Sequence, residues 1–135
     1  MEFNYIDLKS ANNEKIKNVL KKYFIDSIID ESGDVTIEGR DSIYIKIDKP
    51  LKAMRIFSYL DFSDDEVNIN ELSNSVDLYN KASSTVKYSM MKNAIMLEYG
   101  FILDGKLDHE LLIKTIKHFE IEVSEARDSL IPEGV

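Results

Sequence analysis

The stretch YSMMKNAIMLEYGFIL, residues 88 to 103, is the least polar part of the chain, with only Lys92 and Glu98 charged. Its reading decides the architecture. A membrane helix needs about 18 or more continuous apolar residues, and Glu98 interrupts this run too early. A two-residue turn at Lys92 and Asn93 instead folds it into a β-hairpin. Met90 then faces Ile95, Tyr88 faces Leu97 and Val86 faces Tyr99, with Phe101 continuing the same apolar face. On the other face Lys87 lies across from Glu98 and Ser89 across from Met96. An apolar face and an attractive charge pair come from one register, and a one-residue slip destroys both.

Working outward from the hairpin, the segment VNINELSN at 67 to 74 carries an N-terminal helix signature. Asn68 is placed as cap with Glu71 three residues on, flanked by Val67 and Leu72 as a hydrophobic staple. The buried stripe predicted for this helix is Ile69, Leu72, Val76 and Tyr79. Beyond the hairpin, an Asp-Gly turn at Asp104 and Gly105 precedes Asp108, which is placed to cap a long helix. Its stripe is Leu112, Ile116, Phe119, Val123, Ala126 and Leu130, and Pro132 stops it.

Upstream, residues 13 to 28 place Ile16, Val19, Leu20, Tyr23 and Phe24 at helical spacing among lysines. Turn residues cluster from Glu31 to Asp34, and the pattern then alternates through Val35 and Ile37 and through Ile43, Ile45 and Ile47. A turn around Pro50, with residues 48 and 53 opposed, pairs Ile47 with Met54, Ile45 with Ile56 and Ile43 with Ser58 on a core face. The opposite face sets Tyr44 against Phe57 and, unfavourably, Lys46 against Arg55. The expected fold is α+β: an antiparallel β-sheet with three helices in the order α-β-β-β-α-β-β-α, the helices mainly on one face. Residues 1 to 135 read as a single domain, large enough to hide about two thirds of the surface of its unfolded chain.

The composition excludes several classes of function. There is no cysteine, so thiol catalysis, zinc-cysteine sites and disulfides are ruled out. A net charge of −8 disfavours nucleic acid, because phosphate binding rests on clustered Lys and Arg. The opening residues carry Glu2 and Asp7 and lack a secretory signal pattern, so a cytoplasmic protein with no membrane partner is expected. His109 and His118 lie about 180° apart on one helix and cannot share a metal. His118 and Glu122 are one turn apart, an ordinary surface pair. The acidic run Asp61, Asp64, Asp65 and Glu66 departs from a calcium loop, with Glu66 where glycine is needed and Leu72 where glutamate is needed. Five glycines are scattered rather than gathered in a phosphate loop. No catalytic residue, metal ligand or cofactor is expected.

The order of elements, the segment VNINELSN, the hairpin TVKYSMMKNAIMLEYGFIL and the closing amphipathic helix together resemble the YbjN family of bacterial proteins, over about residues 14 to 130. That resemblance implies the type III secretion chaperone-like fold and a role in regulation, the family being described as sensory transduction regulators. It transfers no catalytic residue. Its structural cousins, the secretion chaperones, are small acidic dimers that hold client segments without ATP, which makes a homodimer one expectation for this chain.

Apart from these, one group of residues stands out. Tyr44, Lys46, Arg55, Phe57 and Tyr59 share the outward sheet face, joined by Met91 and Met96 if the two hairpins form one sheet. Aromatics, methionine and arginine are enriched where proteins bind proteins. The expectation is a non-enzymatic protein-binding module, chaperone-like or regulatory, engaging a protein segment through this face or an edge strand, unless a helix or a dimer mate covers it. The rival expectation is an acidic immunity protein that neutralises a basic toxin through charge complementarity.

Overall fold

A computed structural model describes residues 4–7, 9, 11–83, 85–103 and 105–132. Their elements follow the order β1 (Tyr5–Ile6), α1 (Asn13–Lys22), β2 (Ile28–Ile29), β3 (Val35–Ile37), β4 (Ile43–Asp48), β5 (Ala53–Asp61), α2 (Ile69–Ala82), β6 (Lys87–Met90), β7 (Ala94–Ile102), β8 (Leu107–Asp108) and α3 (His109–Leu130). Six strands form one antiparallel sheet in the order β2-β3-β4-β5-β7-β6, and β1 pairs with β8 in a separate two-stranded sheet. The α+β architecture is that expected from the sequence, and both hairpins take their expected registers. Lys87 opposes Glu98, Tyr88 opposes Leu97 and Met90 opposes Ile95. In the other hairpin Ile45 opposes Ile56, Ile47 opposes Met54 and Asp48 opposes Ala53.

The inner face carries the core. Val35, Ile43, Ile45, Met54, Ile56, Leu60, Tyr88, Ile95 and Leu97 are buried against the helix stripes. Ser58 is buried among them, and its hydroxyl donates to the Ser42 carbonyl at 2.8 Å, so this polar group is not stranded. α3 extends for about 33 Å at 1.5 Å per residue. All six predicted stripe residues are buried, and His109 and Ile113 widen the stripe. The Asp108 side chain accepts from the Leu111 N–H at 3.2 Å, as its capping role requires. Asn68 does the same for α2 from Glu71 N–H at 3.1 Å. Ile69 departs from expectation: it sits at the first helical position, one turn before Leu72, and is exposed. Asp104 of the expected turn lies outside the described residues.

The first helix is shorter than its spacing predicts. It stops at Lys22, and residues 28 and 29 become a strand. The chain ends the helix by a Schellman motif, with Ile25 N–H on the Leu20 carbonyl at 2.9 Å and Phe24 N–H on the Lys21 carbonyl at 3.0 Å. Ile25 folds back onto the core. Phe24 therefore occupies the left-handed position where glycine is usual, with φ 63°, and its side chain is 97% exposed instead of buried. A helical period cannot reveal this stop, because Tyr23 and Phe24 continue the apolar spacing up to it.

The two edges of the large sheet are treated differently. Met91 N–H bonds the Ala94 carbonyl, so by alternation the N–H and carbonyl of Tyr88 point off the β6 edge. There the Asn80 side chain meets both, its oxygen accepting from Tyr88 N–H and its nitrogen donating to Tyr88 carbonyl, each at 2.7 Å. Ser83 Oγ accepts from Val86 N–H at 3.0 Å. α2 and its C-terminal Ser83 thus cover the β6 edge at Tyr88 and Val86. On the β2 side Asp30 N–H bonds the Asp34 carbonyl, which by the same alternation turns the N–H and carbonyl of Ile29 outward.

The small β1-β8 sheet brings residues 5 and 6 against the start of α3, and neither strand shows in the sequence because two residues carry no period. Beside it His109 is 4% exposed, and neither ring nitrogen has a hydrogen-bond partner among the described residues. Burial holds its imidazole below the ordinary value of 6.5, and the Lys15 and Lys22 charges act in the same direction. The Tyr5 backbone and Asp108 act the other way, by smaller amounts.

Three measurements check these assignments. Phe24→Gly relieves the left-handed strain and should raise unfolding free energy by about 1 kcal/mol in urea titrations, whereas Phe24→Ala should not. Asn80→Ala leaves two Tyr88 backbone groups unmet and should cost about 2 kcal/mol in the same assay. The unfolded chain binds a proton at His109 near its ordinary 6.5, which the folded chain accepts only at lower pH. The His109 contribution to stability is therefore full above that value and declines as pH falls from it toward the folded value. Urea midpoints at about pH 8 and about pH 5.5 should differ less in His109→Leu than in the parent chain.

Candidate functional site

Among the described residues no helix covers the outward face of the large sheet, because the helix stripes meet the inner face. One cross-strand row runs from edge to edge through Ile28, Thr36, Tyr44, Phe57, Glu98 and Lys87. The next row holds Lys46, Arg55 and Gly100, and the row on the other side holds Tyr59, Met96 and Ser89. By strand alternation Met91 lies on the same face at its end, exposed in the turn of the hairpin. Tyr44, Lys46, Arg55, Phe57, Tyr59, Met91 and Met96 are therefore brought to one surface by the β5-β7 pairing.

Three rings form the centre of this surface. Tyr44 stacks on Phe57 with centroids 5.4 Å apart and planes at 20°, and Tyr59 meets both edge-on at 5.8 Å and 5.9 Å. Such pairs contribute about 0.5–1.5 kcal/mol each beyond their buried area, so the rings hold one another in place. Partial burial, and then the neighbouring Tyr44, hold the Tyr59 hydroxyl protonated by raising its pKa.

The unfavourable Lys46-Arg55 pairing is resolved from the far side. Arg55 turns away from Lys46 and donates through Nε to Glu98 Oε2 at 2.9 Å, with its terminal nitrogen bonded to the same oxygen. Gly100 stands directly opposite Arg55. The expected Lys87-Glu98 opposition holds in register, but the carboxylate is engaged by Arg55. Lysine offers a single flexible charge, whereas the arginine fork reaches one oxygen with two nitrogens.

Toward the β2 edge the face becomes acidic. An open groove of about 560 Å³ is lined by Ile28, Asp30, Glu31, Thr36, Glu38 and Tyr44, among others. Asp30 is held below the usual carboxylate range first by the Asp34 N–H and next by the Thr36 hydroxyl, so it stays ionised. Sequence reasoning missed this region because it assigned Ile28 to the first helix. The paired isoleucines in DSIID, just before the turn cluster, were the available signal.

A second concavity of about 570 Å³ lies between α3 and the hairpin, with Val86, Tyr99, Leu111, His118, Ile121 and Glu122 in its wall. Glu122 accepts from the Tyr88 hydroxyl at 3.1 Å and from Ser83 at 3.4 Å, which orients it toward the hairpin. Tyr88 is correspondingly raised far above the usual tyrosine range, first by burial and then by the Glu122 charge. Among the described residues no three metal-type ligands gather, and no helix is long and apolar enough to cross a membrane.

No known family model matches the chain, and no curated protein sequence matches it. Solved structures do. YbjN from E. coli, a proposed transcription regulator, superposes with a TM-score of 0.72 at 12% identity, covering 90% of this chain and 97% of that one. A chain of the HopA1-SchA chaperone-effector complex gives 0.63 at 8% identity, covering 84% of this chain and 90% of that one. A chain from the complex of the Yersinia pestis type III secretion chaperone SycH with a fragment of YscM2 gives 0.55 at 8%, covering 84% and 97%. At these identities the likeness is one of fold, and the fold is YbjN-like and shared with type III secretion chaperones.

Proposed function

We propose that this protein is a non-enzymatic binding module, chaperone-like or regulatory, that holds a segment of another protein on the outer face of its sheet. The observation that carries the reading is the Tyr44, Phe57 and Tyr59 cluster on a face that no helix of the chain covers among the described residues. Large aromatic side chains flanked by Met96 and an Arg55-Glu98 pair match the composition of binding hot spots. Two of the similar folds come from structures in which a chaperone is held with an effector or a protein fragment, which supports a protein as the occupant. On this reading the protein works in the cytoplasm without a cofactor.

Phe57→Asp tests it. The change places a charge among the rings and leaves the inner face untouched, so the variant should retain the parent far-UV spectrum. Partner protein captured from native cytoplasm by the parent chain should be lost, with an affinity at least about tenfold weaker, equivalent to about 1.4 kcal/mol. Equal capture by parent and variant would remove the outer face as the binding surface.

A further inference from the structure

The long helix α3 carries two stripes. The first is buried against the sheet, and the second lies about a third of a turn around the helix at about 100° per residue. Leu111, Thr115, His118, Glu122 and Glu125 follow one another along the second at steps of four and three residues. Together with Val86 and Tyr99 they wall the concavity of about 570 Å³ between α3 and the hairpin. Tyr99 opposes Ile56, which is buried on the helix side, so this concavity lies across the sheet from the cluster of Tyr44, Phe57 and Tyr59. Its volume falls within the range of about 300–1,000 Å³ usual for small-molecule sites. Two of its apolar side chains are left largely uncovered, Leu111 at 54% and Ile121 at 58% exposure.

Charge selects among occupants. Tyr88 and Ser83 both donate to Oε1 of Glu122, at 3.1 Å and 3.4 Å, which holds the carboxylate in place and leaves Oε2 without a bond among the described residues. Glu125, about one turn further on, forms no ion pair among the described residues. Lys114 is the lysine of the wall, and it is paired with Glu110 at 3.3 Å. Two carboxylates without a cation therefore line a hollow whose other walls include Val86, Tyr99, Leu111 and Ile121. A carboxylate beside apolar walls gains most from a cation whose own apolar body fills the space and excludes water. A partner helix fits less well, because it needs apolar anchors every three or four residues. Leu111 and Ile121 stand about 15 Å apart along α3, with Thr115 and His118 between them. We infer that this concavity is a small-molecule site for an amphiphilic amine, with its ammonium on Glu122 Oε2 and Glu125 and its apolar body against Val86, Tyr99, Leu111 and Ile121. Because Tyr88 and Ser83 already hold Glu122, little freedom is lost when the amine arrives.

The test uses the full chain and three probes that share one apolar tail: n-octylamine, n-octanol and n-octanoate. Each is kept below the concentration at which it aggregates, at about pH 8, where the amine is protonated and the octanoate ionised. Backbone amide NMR titrations read affinity and location together. Octylamine should bind, shift the amides of Val86, Tyr99 and the Leu111 to Glu125 part of α3, and weaken as salt rises. Octanol should bind at the same amides at least about tenfold more weakly, and octanoate should not bind. The double variant Glu122→Gln with Glu125→Gln should lower octylamine to the affinity of octanol and leave octanol unchanged. Glutamine at 122 still offers an oxygen to the Tyr88 hydroxyl, so the variant keeps the fold. Ile121→Ser, at an exposed position, should weaken octylamine and octanol alike. Phe57→Asp should change neither, which separates failure of this site from failure of the outer face. Equal binding of octylamine and octanoate, no binding of octylamine, shifts confined to the outer face, or octylamine binding that the double variant does not alter would each overturn the inference. A basic amphipathic peptide that shifts the same amides while octylamine does not would overturn it in favour of a partner helix.

Discussion

The nine-residue ladder between β5 and β7 is the constraint on which the molecule depends. Two hairpins that are separate in sequence, with α2 between them, become one sheet only through this pairing. Its register sets Ile56 against Tyr99, Ser58 against Leu97 and Leu60 against Ile95 on the side that the helices cover. The same register sets Arg55 against Gly100, Phe57 against Glu98 and Tyr59 against Met96 on the side left open. A shift of β7 by one residue against β5 would turn that strand over, putting Glu98 into the core and Leu97 into water. One set of hydrogen bonds therefore creates both the core and the candidate binding surface.

Both hairpin registers were legible because each has one apolar face and a short turn, which leaves a single alignment that buries the apolar residues together. Helices α2 and α3 were legible from Asn68 and Asp108, whose side chains cap as their spacing implies. The pairing of β5 with β7 was not fixed by either pattern, since alternation says which way a side chain points and not which strand lies beside it. Tyr44, Lys46, Arg55, Phe57 and Tyr59 could thus be gathered from one hairpin, while Met91 and Met96 join them only through the ladder. The failures have a common physical origin. At Phe24 a backbone reversal overrides an apolar helical period, and β1, β2 and β8 are too short to hold a period at all.

His109, Asn80 and Glu98 show a further limit of reading along the chain. Each takes its role from a neighbour remote in sequence or from the depth at which it is buried. Glu98 was paired with Lys87 by register, yet Arg55, on the neighbouring strand β5, takes its carboxylate because the guanidinium presents two donors. Asn80 lies on a helix, where its amide has no evident purpose until strand β6 is placed alongside. His109 follows the cap of α3 and looks like a solvent-facing helix residue until β1 is laid against the same end.

The outer face also has a stability role that does not depend on any occupant. Stacked aromatic pairs across strands strengthen a sheet even where one side is wet, so the rings help hold β4 to β5 in the free protein. This arrangement bears on binding as well. Side chains already fixed by one another lose little rotational freedom when a partner covers them, and that loss is a major cost of association. Tyr44, Phe57 and Tyr59 are fixed in this way, whereas the exposed Met91 at the end of the sheet is not. The surface thus combines a rigid aromatic centre with an adaptable methionine margin and an acidic side toward β2. On the proposed reading, a rigid centre favours affinity for a segment lying across it, and the acidic side favours segments that bring basic residues there.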